Sequence, residues 1–424
     1  LADMERAGIG VDVGKTDSLY VDWHNEMSQA EHFIRDQFRM STMNVHSHEQ
    51  LGKALEQAGC PVLERTDVKG IMRTDEANLK AVRYWNESLI DAVLFAKQQK
   101  KLLSYLHNFL LLRGDDGRLH PSFNQAGHWE EVSDKSGEAP VTGRLSCSGP
   151  NLQSIPHKGS EGLIKRGKLM RQCLIPQQGW LLLSADIAQQ EPRIAALVSR
   201  DPALIHDFEA GVPVYGPVGE AIYGYPIDKQ VNVREWHVAK TFFLAIAYGA
   251  RWQKLLEIEP AFTAEQAKAG YGRVTDRYKQ FIEWGNEVRR GVKRDGYVRD
   301  YFGRIRWIPK VYGGRVQIVE EGNREAINMM IQGPAATVLK KMMLTIHAQL
   351  QEQGLEARMV LSVHDEVVLE VPPNELDKVS QIVYNSTNDI LPIELPVEVK
   401  VGHTWGDENY ATRTDAEGVP VVQG

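Results

Sequence analysis

Cysteine is scarce in this chain: only Cys60, Cys147 and Cys173 among 424 residues. Three cannot all pair, and their spacing matches no zinc motif, so neither a disulfide scaffold nor a cysteine-based metal site is expected. They read as reduced thiols of an intracellular protein. No apolar run reaches membrane-spanning length and no leader pattern opens the chain, so no membrane partner is expected. Positive charge is short too, with 49 Lys and Arg against 56 Asp and Glu and a formal net charge of −7. A wholly basic nucleic-acid coat is thereby excluded. A nucleic-acid enzyme is not, because local patches outweigh the sum.

Two such patches are present. "IKRGKLMR" carries Lys165, Arg166, Lys168 and Arg171, and "RRGVKR" carries Arg289, Arg290, Lys293 and Arg294. Either alone reads equally well as a solvated face. A third stretch, "GIGVDVGKT" at 8–16, imitates a phosphate loop, but that motif needs glycine where Ile9 stands. It reads as a plain connection between helices. The composition, 42% hydrophobic and 25% charged, is that of a globular protein, and the length predicts two or three packed subdomains. The first residue is Leu1, which suggests a piece of something longer.

Periodicity divides the chain. Residues 1–113 read as mostly helical, with Ser47 and Gln50 spaced as a capping box and a long amphipathic helix over 92–112. From 114 to 180, Gly, Ser, Pro and Asn separate strand-like pieces. Trp180–Ala185 is a short apolar strand, after which Ile194, Leu197 and Val198 take up helical spacing. Pro192 fits the first turn of that helix, so Asp186 is expected where the strand ends. The span 202–315 is largely helical, and the last dozen residues read as a loose tail.

"ARMVLSVHDEVVLEVP" at 357–372 sets two apolar alternating strands around His364, Asp365 and Glu366. A hairpin turn accounts for the aspartate. Acids beside apolar strands are costly, however, unless something positive joins them. Paired with Asp186, Asp365 could hold two divalent ions about 3.5–4 Å apart, the arrangement used for in-line phosphoryl displacement. Mg²⁺ suits such a site.

The motifs are similar to those of the family A DNA polymerases. "SADIAQQEPR" resembles their motif A, "AKTFFLAIAYG" motif B and "VHDEVVLEV" motif C. "REAINMMIQGPAA" resembles the segment after motif B, and "TGRLSCSGPNLQSIP" their block ahead of motif A. The resemblance runs in the family's order from about residue 1 to 406. It implies an α+β right-hand polymerase with an antiparallel palm sheet. The thumb would take 1–113, the palm 114–201 and 316–424 with the tail, and the fingers 202–315. It further implies that Asp186 and Asp365 bind two Mg²⁺ ions, that Glu366 is a lesser neighbour, and that Lys240 clamps the triphosphate. Glu191 matches the steric gate against a ribose 2′-OH, with Tyr248 as its partner; Gln189 and Leu244 join the nucleotide site. Arg144, Arg324, Asn328, Gln332 and His364 match primer, template or minor-groove contacts, and Gly249 lies with Tyr248 near the template base.

The helix chemistry agrees with this independently. Trp236, Lys240, Leu244 and Tyr248 recur every fourth residue and share one face, while Val238, Phe242 and Ala245 pack on the other. Departures from the pattern are equally specific. Trp236 and Tyr215 stand where the family carries phosphate-contacting Arg and His, and His237 or Arg234 is the expected substitute. Leu244 replaces an aromatic residue, and Ile187 and Ala188 replace a Tyr-Ser pair. The implied partners are primer-template DNA and deoxynucleoside triphosphates, for a monomer that accessory replication factors could join. The implied location is the cytoplasm of a bacterium or phage-infected cell. No 3′–5′ exonuclease segment is expected within these residues. A single-subunit RNA polymerase is opposed by Glu191. A non-catalytic DNA-binding relic is opposed by the joint presence of Asp186, Lys240 and Asp365.

Overall fold

A computed structural model describes residues 1–66, 69–125, 141–157 and 159–407, with the backbone of 413–414 and 420–421. The expected tail therefore lies outside the described residues, apart from a backbone pairing of Arg413–Thr414 with Pro420–Val421. The fold is of the α+β class, and its central sheet is antiparallel throughout. No described helix is long and apolar enough to cross a membrane.

The amino-terminal quarter is built on two long helices packed side by side, Val13–Phe38 and Glu87–Leu111. Between them, Ile34, Val45, Leu51, Leu55, Leu79, Ile90 and Val93 close a small hydrophobic core separate from the main one. Ser47 caps the His48–Gln57 helix by accepting from the Gln50 N–H. Only half of the expected capping box forms, because the Gln50 side chain accepts instead from Asn44 N–H at 2.7 Å.

The "GIGVDVGKT" stretch corrects the reading of a plain connection. Ile9–Val11 is a buried strand between Arg118–Leu119 and Leu174–Ile175. Gly10 is needed there, since a Cβ would meet the Ile175 carbonyl oxygen at 2.7 Å. Asp12 then caps the next helix through Lys15 N–H at 2.9 Å, and Lys15 Nζ reaches Gln172 Oε1 at 3.1 Å. Lysine and cap are both committed to the fold.

The four-stranded sheet runs Val397–Gly402, Leu181–Ile187, Glu366–Val371, Arg358–Val363. Leu182, Leu183, Ala185, Val367, Val368 and Leu369 are buried, so the two inner strands read as nearly continuous apolar runs. Glu370 is the exception, fully buried yet paired with Arg118 at 2.5 Å and Arg358 at 2.8 Å. Removing one partner leaves a buried charge short of compensation. Arg118→Ala is expected to cost about 3 kcal/mol of stability, read as a lower urea midpoint with an unchanged m-value.

The principal helices of the remainder are Glu161–Arg171, Gln190–Ser199, Val233–Ala247, Lys279–Asp295 and the 37-residue Val316–Glu352, the last of which packs on the Arg358–Val363 strand. A short hairpin, Tyr297–Arg299 with Ile305–Trp307, sits between the last two.

Candidate active site

The site assembles where the two inner strands end. Antiparallel pairing sets Glu366 opposite Asp186, and Asp186 is flanked on its other side by Glu398. The strand continues to Ile187, so Asp186 lies one residue short of its end. Asp365 reaches the same cavity from the tip of the hairpin. His364 and Asp365 are the only two residues between the strands, and His364 takes a left-handed φ of 59°. Two-residue hairpin turns require positive φ, and a non-glycine residue that supplies it carries local strain. His364 is exposed, with its ring 5.4 Å from that of His157.

The carboxylates lie in a cavity of about 300 Å³ that Lys240 also lines, with His157, Lys168, Arg171, Glu398 and Lys400. Burial pushes the Asp186 carboxyl up to about 7, and Asp365, Glu366 and Glu398 push in the same direction while Lys400 opposes them. Burial leads and the three neighbouring acids add to it. Glu366 is otherwise engaged: the Ser184 hydroxyl and Trp405 Nε1–H, the latter at 2.8 Å, both donate to its Oε1. Asp186 and Asp365 face the cavity with Glu398 beside them on the edge strand.

Among the described residues no group of three His, Cys, Asp or Glu side chains is placed to hold a metal. Two carboxylates alone fit Mg²⁺, which is usually held by one or two acids, with waters and substrate phosphates completing its octahedron. The donor set fits that ion and would not make a closed structural site.

A second cluster adjoins the first. Glu191, in the first turn of the Gln190–Ser199 helix, receives three donors. Tyr248 O–H donates to Oε2 at 2.8 Å, while Arg144 at 2.5 Å and Gln332 at 3.3 Å donate to Oε1. Burial and the Glu191 charge push the Tyr248 phenol well up, so it remains a donor. Four residues named from four separated motifs thus meet in one hydrogen-bonded group.

The Val233–Ala247 helix links the clusters. Lys240 is exposed toward the cavity, and Val238, Ala239, Phe242 and Phe243 are buried behind it. Ala245 is only half-buried, so the packed face is shifted toward Ala239 and Phe243. Trp236 meets the buried Tyr215 edge to face at 6.0 Å, and Lys240 Nζ lies 5.9 Å from the centre of the Tyr215 ring. Two of the residues that depart from the expected pattern, Trp236 and Tyr215, are therefore one packing unit. The Tyr215 ring can steady the ammonium by a cation–π contact.

The remaining expected residues fall in different places. Leu244 is half-buried on the same helix, and Tyr248 caps its end. Gly249 follows at φ 88°, where a Cβ would strike Arg289 Nη2 at 2.1 Å. Arg324 is exposed on the 316–352 helix, in line with Asn328 and Gln332. Among the described residues the buried Asn328 Oδ1 has no hydrogen-bond partner. Gln189 turns its side-chain oxygen to Val214 N–H at 3.2 Å. His237 is exposed and does not line the carboxylate cavity, and Arg234 pairs with Glu259 at 2.5 Å.

Several cavity residues were not picked out as site residues from the sequence. Lys168 and Arg171 come from the basic stretch "IKRGKLMR", whose Arg166 turns away to stack on Trp23 at 4.8 Å. Lys168 and Arg171 are one helical turn apart, which was the available signal. Lys400 and Trp405, on and after the edge strand, carried none.

Comparison with known proteins adds the context. A family model described as DNA polymerase family A matches residues 15–407. The thermostable DNA polymerase I of Thermus aquaticus is 31% identical over 407 residues, covering 95% of this chain and 46% of that protein. DNA polymerase I of Bacillus subtilis is 28% identical over 413 residues, covering 96% and 44%. The chain thus spans about half the length of the curated relatives it matches. Among solved structures, the POL domain of Pol1 from M. smegmatis, in complex with DNA primer-template and dNTP, superposes with a TM-score of 0.83. It is 28% identical, and the match covers 96% of this chain and 68% of that one.

Proposed function

This chain belongs to DNA polymerase family A, and from that premise we propose that it extends a primer 3′-OH with deoxynucleoside triphosphates, releasing pyrophosphate. The observation that carries the reading is the convergence of Asp186, Asp365 and Lys240 on one cavity, beside Glu191 with Tyr248 and Arg144 on its carboxylate.

Asp186 and Asp365 would hold Mg²⁺, which when bound lowers the pKa of the attacking hydroxyl and neutralises charge on the leaving group. Lys240 binds the triphosphate and offsets its charge from a position steadied by Tyr215. Lys168 and Arg171, in the same cavity, supply further positive charge toward phosphate. They stand in for the donors lost at Trp236 and Tyr215 better than Arg234, because they line the carboxylate cavity and Arg234 does not.

Glu191 closes the sugar pocket. Its two oxygens are taken by Tyr248, Arg144 and Gln332, so it is held rigidly where a 2′-OH would collide. Arg324, Asn328 and Gln332 share a helical face suited to the duplex, and minor-groove acceptors common to all base pairs let such a face test geometry without reading sequence. His364 presents itself to the primer from the strained turn. Tyr248, Leu244 and Gly249 face the nascent pair, while Gln189 braces the base of the fingers through Val214.

In this reading the thumb is 1–113, which contains its own core. The palm is 114–201 with 316–424, and the fingers are 202–315. Primer-template and dNTP are the ligands named for the M. smegmatis structure. The bacterial relatives favour action in the cytoplasm of a bacterium or phage-infected cell.

The test is extension of a primed template with Mg²⁺, comparing dNTPs with rNTPs. Deoxynucleotide-selective extension is expected, and tight DNA binding without extension would replace the reading by a non-catalytic relic. Glu191→Ala should raise the rNTP-to-dNTP ratio of kcat/KM by about 100-fold, since it removes the colliding side chain. An unchanged ratio would remove Glu191 from sugar selection.

A further inference from the structure

The basic stretch at the end of the 279–295 helix is not used by the reaction, and it leads directly into an exposed aromatic face. Cross-strand pairing sets Tyr297 opposite Trp307 and Arg299 opposite Ile305, so these four share the outward side of the hairpin. The Tyr297 and Trp307 rings lie 5.0 Å apart, yet Trp307 is 70% exposed. Tyr312, 61% exposed, extends the patch, its ring lying against Gly296. On the inward side Val298 is buried, and Arg306 bonds Glu325 of the 316–352 helix at 2.9 Å. The hairpin is thus fixed on one face and bare on the other.

Charge gives the bare face a sign. Lys293, Arg299 and Arg315 make no ion pair among the described residues, whereas nearby Asp295 is taken by Arg294 and both Glu321 and Glu325 by Lys310. Glu320 is the acid left exposed. Exposed aromatic rings among free cations suit unpaired nucleic acid, whose bases stack while its phosphates meet the charges.

The hairpin tip also touches the site. Arg304 fills the space beside Gly143, where a Cβ would lie 1.4 Å from its Nη1, and Asp300 Oδ2 would meet a Cβ on Gly333 at 2.5 Å. Gly143 adjoins Arg144, and Gly333 adjoins Gln332, two of the Glu191 donors. From Arg304 the strand to Trp307 covers about 10 Å. We propose that Tyr297, Trp307 and Tyr312, with Lys293, Arg299 and Arg315, form a stacking platform for the single-stranded template as it approaches the site. Only the identity of the strand as template rests on the polymerase reading.

The experiment compares labelled primer-templates that differ only in template overhang, one nucleotide against roughly ten, a length within the usual span of single-strand sites. Binding of the intact chain is expected to be tighter for the long overhang. Trp307→Ala should remove about tenfold of affinity for the long overhang, while leaving affinity and extension on the short one unchanged. Trp307→Phe should restore most of the loss. Arg299→Gln should weaken long-overhang binding and reduce its salt slope by about one. Equal affinities for the two overhangs in the intact chain, or a Trp307→Ala effect that is absent or the same on both, would overturn the platform and leave the face to a protein partner. Should the intact chain extend neither template, the polymerase reading fails. The difference in affinity between overhangs still decides the platform.

Discussion

Replacing Asp186 by asparagine is expected to slow primer extension at least about a thousandfold, while primer-template affinity changes little. A bound divalent ion contributes several kcal/mol to charge stabilisation in phosphoryl transfer, and a neutral amide in place of the carboxylate is a poor ligand for it. Single-turnover extension with saturating DNA reads the first quantity and anisotropy the second. The same substitution carries a stability signature that a purely structural aspartate would not give. At pH 8, above the value of about 7 to which burial and its acidic neighbours push it, Asp186 is charged while buried beside Asp365, Glu366 and Glu398. A carboxyl raised in the folded state loses its contribution to stability as pH rises from the ordinary aspartate value of 3.8 toward that point. In chelator at pH 8 the asparagine variant should therefore melt above the parent, and the gap should narrow as pH falls from about 7 toward 3.8. Adding Mg²⁺ should raise the melting temperature of the parent more than that of the variant. A variant less stable than the parent at pH 8 would count against the repulsion, and unimpaired extension would count against the role of Asp186.

Lys240→Ala is expected to lower kcat/KM for dNTPs by about 10²- to 10³-fold, the usual loss when one preorganised charge is removed from a transferring phosphoryl group. Part of the effect should fall on kcat, because charge on the leaving phosphates grows during the reaction. The ammonium is exposed to the cavity and held near the Tyr215 ring, so its removal leaves no buried charge behind and should change stability little. Tyr215→Leu, which keeps much of the buried volume but removes the ring face, should reproduce a small part of the loss, about threefold. Nucleotide titrations of both variants under single-turnover conditions separate binding from chemistry. A Lys240→Ala loss confined to DNA affinity would take the lysine out of the nucleotide site.

Much of this was legible before any coordinates. The strands around Asp186 and Asp365, the long helices and the four-residue face from Trp236 to Tyr248 follow from apolar periodicity, which records how each segment buries its own side chains. The five ordered motifs carried the resemblance to a known family and named the residues around Glu191. The Ile9–Val11 strand was missed because three residues give no measurable period. Its place depends on a Gly10 contact with Ile175, a residue far along the chain. The capping box was half right, because the spacing shows which groups can meet but not that Asn44 N–H would compete for Gln50.

By itself the sequence determined the longer elements, the acids at the ends of two strands and the lysine on an apolar helix. Periodicity is a local property, and it is written in neighbouring residues. The tertiary structure decided what meets what: Asp186 beside Glu366 through strand register, Arg144, Tyr248 and Gln332 on one carboxylate, and the Tyr215 ring against Trp236. It also divided one basic stretch between the core and the cavity. Such contacts join segments far apart in the chain. They are settled by the summed packing of a whole core, which no short window contains.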